Sequence, residues 1–197
     1  MERINLNELR NRAYENAIAH GWHEEEHSND HWLCLIISEL MEAVQADRKG
    51  KRANIAMFKE YQANIRISIS EETQTKRFKE DYEAYIKGSV EEELADACIR
   101  IFDFAGLKNI EIDNFTEEEI DDASESCNDE TFTETIYAIS TLPARYEGLY
   151  DFPTTVNDMI MSVFGLAKHL NIDILWHIEN KIRYNELRPY KHGNKRY

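Results

Sequence analysis

The sequence has few of the residues that interrupt regular structure, with 7 glycines and 3 prolines among 197 residues. That scarcity, together with few alternating β-branched runs and many Ala, Glu, Leu and Lys residues, predicts a mostly helical protein. The 3 cysteines include no CxxC pair, so reduced thiols are expected and a Cys/His zinc site is not. The sequence also contains no internal repeat, no glycine-rich phosphate loop and no nucleophile elbow.

Long apolar segments are absent as well. No run approaches the roughly 20 apolar residues that a membrane-spanning helix needs. The opening residues, MERINLNELRNR, contain no apolar stretch that could serve as a signal peptide. These absences predict a cytoplasmic protein without a membrane partner. Because 42% of the residues are hydrophobic, residues 1–197 are expected to fold as a single domain.

Basic residues are in the minority: 23 Lys and Arg stand against 38 Asp and Glu, which gives a net charge of -15. Such an acidic surface repels a polyanion, so nonspecific nucleic-acid binding is not expected. The carboxyl-terminal part differs, because the residues after 180 carry six basic side chains and one acid. This basic end fits either the capture of a compact anion or a solvated, flexible tail.

Hydrophobic periodicity and capping signals predict an all-α fold. Ser89 and Glu92 form a capping-box signature at the start of one helix, and Pro143 is expected to end another. The predicted helices span residues 5–20, 30–48, 71–87, 90–106, 131–141, 154–170 and 172–187.

Two pairs of acids are the most informative feature of the chain: Glu39 with Glu42, and Glu93 with Asp96. Residues three apart lie on one side of a helix, so two packed helices would bring four carboxylates together. Carboxylates that are close in a partly dry site stay ionised only if protons or metal ions neutralise them. Oxygen ligands suit Mg²⁺ or Mn²⁺, and the pairs therefore predict a metal site.

Each pair also has an ordinary interpretation as surface charge. The first pair shares its side of the helix with Trp32 and other apolar or small residues, which argues against a solvated face. The second pair lies with Arg100 and Asp103 on a side that, taken alone, is a polar face with an Asp96 to Arg100 ion pair. The combination of the two pairs favours the metal site.

A third element, near the carboxyl terminus, has the pattern Lys-x-x-x-Asn-x-x-Arg. With the two acidic pairs, in this order, it resembles the MazG-like nucleoside triphosphate pyrophosphohydrolases. These enzymes belong to an all-α superfamily that also holds the dimeric dUTPases and the dCTP pyrophosphatases. The resemblance covers residues 20–50, 88–107 and 172–192. Its three elements are Glu39-Leu-Met-Glu42, Glu93-Leu-Ala-Asp96 and Lys181-Ile-Arg-Tyr-Asn185-Glu-Leu-Arg188.

The resemblance implies an all-α fold with a four-helix core of the NTP pyrophosphatase type and additional inserted helices. It also implies a homodimer or homotetramer that uses Mg²⁺ to hydrolyse a nucleoside triphosphate, with ribose or deoxyribose, to the monophosphate and pyrophosphate. Glu42 is the residue that we nominate to accept a proton from the attacking water. The implied metal ligands are Glu39, Glu42, Glu93 and Asp96, and the implied substrate-binding residues are Lys181, Asn185 and Arg188.

The sequence departs from the family pattern in several places. Ser38 stands where the family often has the first acid of an EExxE motif. The stretch between the two acidic pairs is longer than in compact members, and another segment has no match, so insertions are expected near 51–88 and 109–150. Glu91 and Glu92 lie outside the implied ligands, and their loss is expected to matter little.

A base pocket is the least readable part of the sequence. Trp22, His27 and Trp32 come just before or within the first acidic helix, where members that resemble the dCTP pyrophosphatases contact the nucleotide. Stacking on a nucleobase is one interpretation. The other is that both tryptophans anchor helix packing and that His27 is solvated.

Two other functions are compatible with the sequence. A catalytically silent helical interaction protein would carry Glu93 and Asp96 on its surface and bind an acidic partner through the basic end. A ferritin-like di-metal carboxylate oxidase would also use helical acids, but it needs Glu-x-x-His pairs. The one such spacing here, Glu24 to His27, precedes the helix that carries the first acidic pair.

Overall fold

A computed structural model describes residues 5–64 and 70–194. Within these ranges the secondary structure is helical and contains no β-strand, which confirms the predicted all-α class. None of the described helices is at once long and apolar enough to cross a bilayer. The four-helix core of the family type stays a prediction, and the basic residues Lys195 and Arg196 lie outside the described ranges. The helices are α1 (Leu6–Ala19), α2 (Asn29–Arg48), α3 (Ile55–Asn64), α4 (Glu71–Tyr85), α5 (Val90–Leu107), α6 (Glu117–Glu125), α7 (Phe132–Tyr146), α8 (Phe152–His169), α9 (Ile174–Glu186) and α10 (Lys191–Asn194).

The central helix is α5, which contacts α1, α2, α8 and α9. Ser89 caps its first turn by accepting a hydrogen bond from the Glu92 N–H at 3.2 Å, which is one half of the predicted capping box. The other half is not formed, because the Glu92 side chain accepts from the Gly88 N–H and not from the Ser89 N–H. The apolar side of this helix, which includes Val90, Leu94 and Ile101, is buried. The other side is not the expected polar surface, since Glu93 and Asp103 are buried too. Helices pack around α5 on several sides, so its polar residues line an internal site.

The segment between the two acidic helices forms α3 and α4, of which only α4 was predicted. The two helices contact each other and build a second, smaller apolar cluster that includes Phe58 and Tyr82. This cluster is joined to α9 by Tyr184, whose ring stacks on the Tyr82 ring at 4.5 Å. As a result, Lys51, which precedes α3, and Lys87, which follows α4, lie near the start of α5.

The helix α6 was not predicted, because its 9 residues carry a single large apolar side chain, that of Ile120. It forms with the help of a capping box between Thr116 and Glu119. It also packs closely on α8, where a Cβ atom at Gly165 would lie only 2.6 Å from the Cβ of Ala123. A glycine at this position therefore permits the contact that stabilises α6.

The helix α7 continues to Tyr146, so the expected end at Pro143 is wrong. Proline has no N–H to donate and costs the helix a hydrogen bond. Packing outweighs this loss, because Leu142 is buried and Tyr146 packs against the main core. The Arg145 side chain also donates to the Ala138 carbonyl at 2.7 Å, which supports the affected turn.

Candidate functional site

A cavity of about 550 Å³ lies between α1, α2, α5 and α9. The four acids of the two predicted pairs line it, and so do Lys181, Asn185 and Arg188. The fold thus brings three separate stretches of sequence to one place.

Five carboxylates gather where α2 meets α5. Carboxylate oxygens of Glu39, Glu42 and Glu93 lie within 4.8 Å of one another, and so do those of Glu92, Glu93 and Asp96. Each group could hold a metal ion, and Glu93 belongs to both. Neither group contains a histidine, so the ligands on offer are oxygen atoms alone.

The centre of this acidic cluster is short of positive charge. Burial, and then the charges of Asp96 and Glu92, raise the pKa of Glu93 to about 8. Burial also raises the pKa of Asp96 to about 7, although the Lys181 ammonium acts in the opposite direction. In water a carboxyl side chain titrates at about pH 4. At neutral pH the site therefore either retains protons or takes up a cation. An all-oxygen cluster with this deficit fits a divalent metal ion.

Lys181 reaches from α9 into the acidic cluster. Its ammonium lies 2.5 Å from Glu92 Oε1 and 2.6 Å from Asp96 Oδ2. Burial works to raise the pKa of Glu92, but Lys181, the Gly88 N–H and Lys87 together outweigh burial, and the pKa is lowered. Glu92 therefore lines the site, although the sequence placed it outside the implied ligands. The small effect expected on its loss stays a prediction. Glu91 does lie outside the cavity, where its carboxylate accepts a hydrogen bond from the Ala53 N–H at 3.0 Å.

Arg100 pairs with α2 and not with its own helix. Its Nε donates to Glu39 Oε1 at 3.0 Å, and the expected pair with Asp96 is not formed. The reason is that Asp96 faces Lys181 on α9, while Glu39 faces Arg100 across the contact between α2 and α5. Arg100 therefore holds the Glu39 carboxylate in one orientation.

Asn185 and Arg188 follow Lys181 along α9 and just beyond its end. Asn185 is buried and its Oδ1 has no hydrogen-bond partner among the described residues, so a ligand with a donor group could satisfy it. The Arg188 guanidinium lies over the Tyr184 ring, 5.9 Å from its centre. It takes part in no ion pair within the described residues. Arg188 is thus available to an anion, whereas Lys181 is already shared by two carboxylates.

Further along α5, the cavity has a different character. Its lining there includes Asp103, Trp22, Asn16 and the small residue Ala13. His23 Nε2 and Asp103 Oδ1 form a hydrogen bond of 2.7 Å. Burial raises the pKa of Asp103 against the effect of this histidine. An indole ring, a small neighbour and polar side chains together suit a flat heterocycle with hydrogen-bonding edges.

The residues of the predicted base pocket lie together, but around a space much smaller than the large cavity. Trp22, His27 and Trp32 all line a space of about 20 Å³, which is far smaller than a ligand site. Only Trp22 of the three also lines the large cavity. Trp32 is 4% exposed and its ring lies 6.5 Å from that of Phe104, as expected for a packing residue. His27 stacks on His31, with the ring centres 4.0 Å apart.

Among the lining residues that were not predicted as site residues are Lys51, Glu83 and Lys87. They come from the inserted segment, whose sequence carries no recognisable motif. A signal existed for Lys51, which belongs to a basic run over residues 48–52. Such runs are usually solvated ends of helices, so the sequence alone did not distinguish it.

The features that the two other functions require are placed differently. A surface position for Glu93, as an interaction protein would have, is not observed, because this residue is 8% exposed. The Glu24 carboxylate pairs with Lys191 at 2.9 Å and belongs to neither metal-holding group.

Comparisons of the chain with protein families, with curated proteins and with solved structures found no match. The interpretation of the cavity therefore depends on its own residues and their arrangement.

Proposed function

We propose that the protein is a Mg²⁺-dependent nucleoside triphosphate pyrophosphohydrolase, which converts a ribo- or deoxyribonucleoside triphosphate to the monophosphate and pyrophosphate. The observation that carries the proposal is a single cavity in which five carboxylates lie beside cations and an indole ring. A divalent metal binds to the carboxylates, a polyphosphate binds to the cations and the metal, and a nucleobase stacks on the indole.

The acidic cluster fits Mg²⁺, which prefers oxygen ligands. Glu39, Glu42 and Glu93 would hold one ion, and Glu92, Glu93 and Asp96 would hold a second. Mg²⁺ held by these residues would neutralise charge between the carboxylates and the phosphates and would lower the pKa of a water molecule. Mn²⁺ would suit the same ligands.

The side chains of the protein position the reaction. Glu42 is the one exposed acid of the two metal-holding groups. We therefore assign to it the role of general base, which accepts the proton of the attacking water. Lys181 orients the carboxylates of Glu92 and Asp96 through its two ion pairs. Arg188 stabilises the negative charge that develops on the phosphate oxygens.

The reaction breaks one P–O bond of the oxygen that bridges the α and β phosphates. The water oxygen bonds to the phosphorus atom that loses the bridging oxygen, and the bridging oxygen leaves with the electron pair of the broken bond. The water proton goes to Glu42.

The nucleoside lies at the other end of the cavity in this proposal. Trp22 offers a stacking surface, and Asn16 and Asp103 offer hydrogen-bonding groups. Asn185, whose buried Oδ1 lacks a partner within the described residues, accepts a hydrogen bond from a substrate hydroxyl. These contacts would fix the α phosphate at the acidic cluster.

A panel of the common ribo- and deoxyribonucleoside triphosphates, with Mg²⁺ in excess, tests the proposal. We expect pyrophosphate and a monophosphate from at least one nucleotide, and no product after the metal is removed with EDTA. Glu93→Gln should abolish turnover, whereas Glu125→Gln, which changes an exposed acid on α6, is the matched control. Orthophosphate as the first product, or no product from any nucleotide, would contradict the proposal.

A further inference from the structure

The cations of the cavity differ in whether an acid already neutralises them. Lys181 and Arg100 pair closely with acids of the cluster. Lys51 takes part in no ion pair within the described residues. Lys87 reaches Glu83 only at 4.0 Å, and its side chain is 51% exposed. Two ammonium groups at the cavity therefore have charge available for an anion.

Main-chain hydrogen bonds hold Lys51 between the end of α2 and the start of α5. Its N–H donates to the Ala46 carbonyl at 2.9 Å, and its carbonyl accepts from the Val90 N–H at 3.2 Å. Its ammonium lies over Gly88, where an added Cβ atom would be only 2.6 Å from Lys51 Nζ. Because Gly88 has no side chain, the ammonium has room beside the acidic cluster.

The second lysine is held by the inserted helices. The Lys87 N–H donates to the Tyr82 carbonyl at 2.9 Å, and Tyr82 is buried in the small apolar cluster. The Lys87 ammonium lies 5.8 Å from the centre of the Tyr184 ring on α9. Since Lys87 directly precedes Gly88, both ammonium groups approach the cavity at the beginning of α5.

The two ends of the cavity lie at different points along α5. Val90, at its start, and Asp103 are separated by about 20 Å along the helix axis. The acids Glu92, Glu93 and Asp96 lie between these two ends. A nucleoside bound near Asp103 would therefore extend its phosphates past the acids toward the two lysines.

We propose that Lys51 and Lys87 bind the terminal phosphates of the substrate and then the pyrophosphate product. This assignment rests on the proposed function and gives the bound nucleotide a single orientation. Charge-assisted hydrogen bonds from two ammonium groups favour a polyphosphate over a monophosphate, which does not extend to them. The inserted segment thus selects for the length of the phosphate chain.

Titration calorimetry of the full chain with inorganic pyrophosphate in Mg²⁺ tests this assignment. Lys51→Gln and Lys87→Gln should each weaken pyrophosphate binding about tenfold, while Lys51→Arg, which keeps the charge, should retain most of the affinity. The matched control is Lys76→Gln, which removes an exposed charge outside the cavity and should change affinity less than about twofold.

Two results would overturn the assignment: equal affinities in the Lys51 and Lys87 variants and their control, or no pyrophosphate binding by the wild-type protein. A different result would contradict the proposed function alone. If pyrophosphate binding depends on both lysines and yet no nucleotide is hydrolysed, the phosphate subsite stands and the pyrophosphohydrolase proposal does not.

Discussion

Glu93 is the carboxylate shared by the two metal-holding groups, and its surroundings make the metal-free protein sensitive to pH. Burial, with the neighbouring acids, raises its pKa to about 8, whereas a glutamate in an unfolded chain titrates at about 4.3. Between these values the folded state binds more protons than the unfolded state. The stabilising contribution of this group is therefore complete below about pH 4.3 and is lost as the pH rises through about 8.

Glu93→Gln should remove this pH dependence, because the amide carries no charge at any of these pH values. At pH 8 the metal-free variant should exceed the metal-free wild type in free energy of unfolding by about 1 kcal/mol, after allowance for solvent screening. Urea unfolding at pH 5.5 and pH 8 measures the difference, with Glu125→Gln as the control. Parallel losses of stability in variant and wild type would contradict this account of the site.

Lys181 and Arg188 should differ in what they stabilise. Lys181→Met leaves Glu92 and Asp96 without their ion-pair partner, so the metal-free protein should lose about 3 kcal/mol of stability. Arg188→Gln should leave stability nearly unchanged and should raise the activation free energy for kcat/KM by about 2–3 kcal/mol, which is a loss of about 30- to 150-fold in kcat/KM. Denaturant unfolding and steady-state kinetics separate the two effects. A solvated basic tail would instead give small effects at both positions.

At the scale of residues, spacing predicted which acids would meet, since positions three apart share one side of a helix. It did not predict the choice of partners. Glu92 had a local explanation as part of the capping box with Ser89, and Arg100 had a candidate partner one turn away in Asp96. Contacts with α9 and α2 decide both cases, and such contacts are not visible in a single helical segment.

At the scale of helices, the contact between α6 and α8 should tolerate no large side chain at Gly165. Gly165→Leu would force the two helices apart at Ala123 and should lower the free energy of unfolding by about 1–3 kcal/mol. The residue lies outside the cavity, so affinity for Mg²⁺ should be preserved in the folded variant. Urea unfolding and metal titration test the two statements, and a stability loss below about 0.5 kcal/mol would contradict the packing argument.

The longer helices could be predicted from periodicity because each has an apolar stripe that packs on the core. The helix α6 depends on a capping box and on a close contact with Gly165, and neither produces a periodic signal. The end of α7 was misplaced because the rule for proline ignores packing, and Leu142 and Tyr146 are held by the core on both sides of Pro143.

At the scale of the whole molecule, binding of Mg²⁺ should stabilise the fold and should do so more strongly at higher pH. Metal ions bound at these carboxylates would replace the protons that Glu93 and Asp96 retain at lower pH, so metal and proton would compete. Thermal unfolding with and without Mg²⁺ at pH 5.5 and pH 8 measures this linkage. Equal shifts in Tm at the two pH values would contradict a metal site at these carboxylates.

Composition was sufficient to predict an all-α molecule, but the cavity depends on how distant segments assemble. The sequence indicated the acids and the basic motif without showing that Asp103, Lys51 and Lys87 would share their space. The inserted helices and the far end of α5 contribute through tertiary structure alone. The homodimer or homotetramer stays a prediction.

³¹P NMR of the reaction in Mg²⁺ distinguishes hydrolysis between the α and β phosphates of a nucleotide from release of the terminal phosphate. Nucleoside monophosphate and pyrophosphate should appear together and at equal rates, with no nucleoside diphosphate at any time. Glu93→Gln should show no reaction under the same conditions, and Glu125→Gln should match the wild type. Appearance of nucleoside diphosphate with orthophosphate, or full activity in Glu93→Gln, would contradict the account.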